Sequence, residues 1–90
     1  MKMQEVEFVK NFEAGRKQTA RSTETEKVGE FVHKTYRYVS HNPRGDEYRL
    51  DTYSHEDGSL WYASTYGVNP CFIGTEYGDK REFHEWHATV

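Results

Sequence analysis

Apolar side chains along this chain are spaced with different periods, and the period sets what each stretch predicts. From Glu5 to Phe12 (EVEFVKNF), Val6, Phe8 and Phe12 are even numbers of residues apart, which predicts an edge-like strand. Between Glu13 and Lys27 only Ala14 and Ala20 are apolar, too little to offset the entropy of ordering, so residues 13–27 are expected to form a polar, flexible connection. The stretch 23–40 supports two readings. Thr23-Glu24-Thr25-Glu26 fits a helix capping box, and Val28, Phe31, Val32, Thr35, Tyr36 and Val39 follow at helical spacing. The same residues are rich in β-branched and aromatic side chains, include Gly29 and run into the turn Asn42-Pro43-Arg44-Gly45, which favours a strand.

Hairpin signals follow. EYRLDTYSH and SLWYASTYG flank Asp57-Gly58, which suits a two-residue type I′ turn. CFIGTEY and KREFHEWHATV flank Gly78-Asp79, and Asn69-Pro70 separates the two hairpins. The expected fold is all-β: a small antiparallel meander or partly open barrel of five to six strands in one domain, 1–90. The alternative is α+β, with a helix at 23–40 packed on a four-stranded antiparallel sheet.

Turn lengths set which side chains share a face. The Asp57-Gly58 turn places Ser54 opposite Trp61, Tyr53 opposite Tyr62 and Arg49 opposite Tyr66. Closing 34–41 through the Asn42–Gly45 turn places Tyr38 opposite Arg49 and Tyr36 opposite Asp51. One face then carries Tyr36, Tyr38, Tyr53, Tyr62 and Tyr66, with Lys34 and Arg49 among them. In the second hairpin, Gly74 falls opposite Phe83 and Glu76 opposite Arg81. Tyrosine pairs a large apolar ring with a hydroxyl that seeks a partner, so such a face suits protein binding, with Arg49 as a charged anchor. The competing reading puts the rings in the core, because aliphatic residues are scarce.

Composition supports the β reading. Two Leu and four Ala stand against seven Tyr, five Phe, two Trp, seven Val and eight Thr. A net charge of −3 disfavours general affinity for nucleic-acid phosphates. Single-strand binding by tyrosine stacking, with Lys34, Arg37 and Arg49 as phosphate contacts, is therefore the second functional reading. The single cysteine, Cys71, excludes an internal disulfide and points to a reducing, cytoplasmic setting. No apolar run has the length of a signal peptide or a membrane span, so no membrane partner is expected, while self-association is left open.

Candidate chemistry is sparse. His84 and His87, three apart, would fall on opposite faces of a strand, and with His55 and Cys71 they give no expected metal site. His55, Glu56, Asp57 and Cys71 include acid–base and nucleophile types, but a polar hairpin tip explains the first three, so neither catalysis nor a cofactor is expected. Lys17–Arg21 reads KQTAR, which resembles the tail of the third core histone, and Arg44-Gly45-Asp46 resembles the integrin-binding tripeptide. Small size, mild acidity and charged hairpin tips are similar in style to phage or mobile-element inhibitors and immunity proteins. The expected function is a non-enzymatic protein-binding module acting by occlusion, with a small enzyme or metal-binding protein as a further alternative.

Overall fold

The computed structural model describes residues 2–67 and 72–90, with the side chains of 72–75 outside the description. Its element order is α1 (Glu5–Arg16), β1 (Ser22–Val28), β2 (Phe31–Val39), β3 (Glu47–Ser54), β4 (Leu60–Tyr66), β5 (Phe72–Tyr77) and α2 (Lys80–His87). The strands form one antiparallel sheet in the order β1-β2-β3-β4-β5, the meander expected from the turn signals. The rival helix at 23–40 is not there, since those residues form β1, β2 and the Gly29-Glu30 turn between them.

Two expected strands are helices. In 5–16 the buried positions are Glu5, Val9 and Phe12, with Phe8 partly buried, a spacing of i, i+3, i+4, i+7 that belongs to a helix. Val6, which made the segment look strand-like, is 70% exposed. The apolar stripe is incomplete because one of its positions is a glutamate. In 80–87 the start is set by Asp79, whose side chain accepts a hydrogen bond from the Glu82 N–H at 2.9 Å. The second expected hairpin is therefore a strand followed by a helix. Gly74 and Phe83 do not oppose each other across a ladder, and Arg81 pairs with Glu85 along α2 instead of Glu76.

The 13–27 segment is not a flexible connection. It holds the last turn of α1, a tight exit and all of β1 but Val28. Gln18 anchors the exit: its N–H reaches the Glu13 carbonyl at 3.1 Å, its amide donates to the Val39 carbonyl at 2.7 Å, and it accepts from the Tyr48 hydroxyl. Backbone and side-chain hydrogen bonds order what apolar burial cannot.

The loop between β2 and β3 is pinned by Asn42, whose Oδ1 accepts from the Gly45 and Asp46 N–H groups at 2.8 and 3.2 Å. It sets Tyr38 opposite Tyr48 and Tyr36 opposite Leu50, one residue away from the expected register. A slip of one residue moves every side chain to the other face. Tyr36 and Tyr38 thus lie on the opposite side of the sheet from Arg49, Tyr53, Tyr62 and Tyr66. The single tyrosine face is two faces.

The β3–β4 pairs Tyr53–Tyr62 and Arg49–Tyr66 are as expected, but Ser54 pairs with Leu60 instead of Trp61. The turn is not type I′: the Gly58 N–H bonds the His55 carbonyl at 2.9 Å, and in this loop only Gly58 takes a positive φ, +90°. That leaves an irregularity at Tyr53/Ser54, and Trp61 and Tyr62 both turn toward α2.

Each helix covers one sheet face. Beneath α1, Val9 and Phe12 pack with Tyr38, Tyr48, Leu50, Leu60 and Ala63. Beneath α2, Phe83 packs with Phe31, Tyr53 and Tyr62, flanked by Trp61 and Trp86. Phe83 stacks on Tyr62 at 4.1 Å, and Phe31 on Trp61 at 4.0 Å.

Candidate functional site

The α2 face divides along its length. Pairing across the ladders arranges it in rows: Ser22-Arg37-Arg49-Tyr66, then Glu24-Thr35-Asp51-Ser64-Glu76, then Glu26-His33-Tyr53-Tyr62. Helix α2 rests on the third row through Phe83 and Trp86; among the described residues no helix covers the first two rows, where Asp51 and Ser64 are buried and Arg37 and Arg49 are partly exposed. The step between helix and bare sheet forms a cleft of about 450 Å³ lined by His33, Thr35, Arg37, Arg49, Asp51 and Tyr66, with His84 and His87 on the helix side. A second cleft of about 370 Å³ adjoins it and shares Arg37 and Arg49.

The side chains at this step form a connected polar chain. Glu26 Oε1 lies 3.1 Å from His33 Nδ1, and Asp51 Oδ1 lies 3.3 Å from His33 Nε2. Asp51 Oδ2 accepts from Arg49 Nε at 3.0 Å, and the Arg49 guanidinium lies over the Tyr66 ring at 4.8 Å. Arg37 donates through Nε and Nη2 to Glu24, both at 3.1 Å. The His33 ring is also stacked flat on Tyr53 at 4.3 Å.

Burial disfavours the imidazolium of His33, but the Asp51 and Glu26 carboxylates outweigh it and raise its pKa above the ordinary value. Burial likewise disfavours the Asp51 carboxylate, and the hydrogen bonds from His33 and Arg49 outweigh it, so its pKa is lowered. Thr35 Oγ1 also lies 3.3 Å from His33 Nε2, which gives a hydroxyl, an imidazole and carboxylates in sequence. Both ring nitrogens of His33 face carboxylates, so the Thr35 hydroxyl shares Nε2 with Asp51. Two fixed guanidinium groups on an open sheet suit recognition of an anion.

The other predicted residues are dispersed. Tyr38 and Tyr62 are each 1% exposed, and Tyr53 is buried. Tyr36 donates to Glu5 at 2.6 Å and Tyr38 to Glu13 at 3.0 Å, on the α1 side. Burial, then these carboxylates, push both phenols well above their usual range. Lys34 also lies on the α1 side, its Nζ 4.0 Å from Glu5 Oε1, so it does not line one path with Arg37 and Arg49.

His84 and His87 do share the cleft, because 80–87 is a helix; among the described residues no group of three or more metal-ligating side chains gathers. At the hairpin tip His55 packs on Phe31 at 5.3 Å, Glu56 pairs with Lys27, and Asp57 accepts from the Ser59 N–H at 2.9 Å. Cys71 lies outside the described residues. Arg44 and Asp46 pair with each other at 2.9 Å.

The residues that sequence reasoning missed are Glu24, Glu26, His33, Thr35 and Asp51. Their signal was the alternation of β2 itself, with 33, 35 and 37 on one face, once β1 is taken as a strand beside it. No helix among the described residues is long and apolar enough to cross a membrane. Comparison with protein-family models, curated proteins and solved structures finds no match for this chain.

Proposed function

We propose that the protein is a non-enzymatic protein-binding module of the cytosol, a small inhibitor or adaptor that acts by covering a partner's surface. Its contact surface is the open half of the α2 face. The observation that carries this reading is that α2 stops short, leaving Arg37, Arg49 and Tyr66 beside a cleft instead of under a helix. Arginine and tyrosine at a concave step are the residue types that anchor protein interfaces. Of the tyrosines named from sequence, Tyr66 remains in this surface with Arg49, while Tyr36, Tyr38, Tyr53 and Tyr62 serve packing. Single-strand nucleic-acid binding is the weaker reading, because Lys34 lies across the sheet and carboxylates flank the two arginines.

The test is a photo-cross-linking side chain placed in turn at Ser22, at the margin of the open rows, and at Lys10, exposed on α1. In lysate of the source organism, a discrete protein adduct is expected from Ser22 and not from Lys10. Adducts from Lys10 alone, or none from Ser22, remove the reading.

A further inference from the structure

The open rows contain an arrangement that sheet stability does not favour. Arg37 and Arg49 are direct partners across the β2–β3 ladder, so two cations face each other at the closest side-chain spacing a sheet offers. Both are partly exposed, their side chains at 48% and 37%. Each has one carboxylate, and each is bound by only part of its fork. Arg37 directs Nε and Nη2 to a single oxygen of Glu24, and Arg49 directs Nε to Asp51. The Nη groups of Arg49 and Nη1 of Arg37 make no hydrogen bond among the described residues. Asp51 and the Tyr66 ring hold Arg49 in place before any ligand arrives. The clefts on either side leave the pair accessible from two directions.

We infer that Arg37 and Arg49 together form a seat for one side-chain carboxylate of the partner protein, each guanidinium donating from its free Nη atoms. The inference rests on the docking reading above and names the chemistry at its centre. A carboxylate matches the planar donor fork, and one negative charge between two like charges relieves their repulsion. The surroundings select a single anion over a polyanion. The adjoining row carries Glu24, Asp51 and Glu76, and Glu26 lies one row further, so a phosphate chain leaving the arginines along the strands would meet acidic groups.

The test follows the arginine side-chain Nε–H resonances by NMR while an acetylated, amidated Gly-Glu-Gly peptide is added. Saturable shifts are expected at Arg37 and Arg49, with none at Arg44 and Arg81, and the Arg49 response should lose saturation in R37Q. R37Q should keep the wild-type melting temperature or exceed it, because it removes a like-charge pair. Unsaturable shifts, equal shifts at all four arginines, or tighter binding of a short oligothymidylate at Arg37 and Arg49 would overturn the inference. The Ser22 cross-link in R37Q separates the two readings. A several-fold lower yield supports the carboxylate seat, whereas an unchanged yield overturns it and leaves docking intact. If wild type gives no Ser22 adduct, docking falls, and the titration still decides whether the arginines seat a carboxylate.

Discussion

Lys17 ends α1 in the left-handed region, at φ +56°. A side chain with a Cβ pays about 1 kcal/mol for that conformation, so Lys17→Gly is expected to stabilise the protein by about 0.5–1 kcal/mol in urea unfolding. The second residue-scale prediction concerns pH. His33 has a folded pKa raised above its ordinary 6.5, so its contribution is full below that value and is lost as pH rises through the folded pKa. Asp51 has a folded pKa lowered below 3.8, so its contribution is present above that value and is lost as pH falls through the folded pKa. Stability should therefore decline as pH rises above 6.5. His33→Gln should flatten that decline, as read from urea midpoints across pH 5 to 9. An alkaline limb unchanged in the variant would show that other groups cause it.

At the scale of elements, α2 depends on few contacts. It has eight residues and one buried side chain, Phe83, so it is too short to persist without its docking face. Phe83→Ala should cost about 3 kcal/mol and red-shift the fluorescence of Trp61 and Trp86 as the helix lifts from the sheet. Gly78 sets the corner before it, at φ +93°, where a Cβ would come within 2.3 Å of the Trp61 carbonyl oxygen. Gly78→Ala should destabilise by about 2 kcal/mol or more, since backbone on both sides must move. Only α2 had a legible start, since the Gln4 side chain does not cap α1, and both helices had hidden faces. Asp79-Lys80-Arg81-Glu82 has the spacing of an N-terminal capping signature, and it was overshadowed by the Gly78-Asp79 turn signal. In α1 the buried Glu5, 3% exposed, interrupts the apolar stripe, because its partners Tyr36 and Thr52 lie far along the chain.

For the whole molecule, β1 forms one edge of the sheet, and its residues Ser22 to Lys27 are all exposed. Glu24 and Glu26 on that edge discourage pairing with another copy. The double variant Glu24→Thr, Glu26→Thr is expected to associate with rising concentration in sedimentation equilibrium, whereas wild type should do so less. The antiparallel meander and the pairs Tyr53–Tyr62 and Arg49–Tyr66 were legible in the sequence, because turn residues and β-branched or aromatic runs act within a few positions, whereas 23–40 supported helix and strand alike. The grouping of Arg37, Arg49, His33 and Asp51 was not, since it depends on the register across a seven-residue loop. One hydrogen-bonded asparagine, Asn42, decides that register, and one residue of slip exchanges the faces. The sequence by itself thus determined β3, β4 and β5 and their antiparallel succession, left β2 between helix and strand, and missed β1. Only the tertiary structure decided which side chains became core and which were left open, because burial depends on where two short helices land, and their packing partners are distant in the chain.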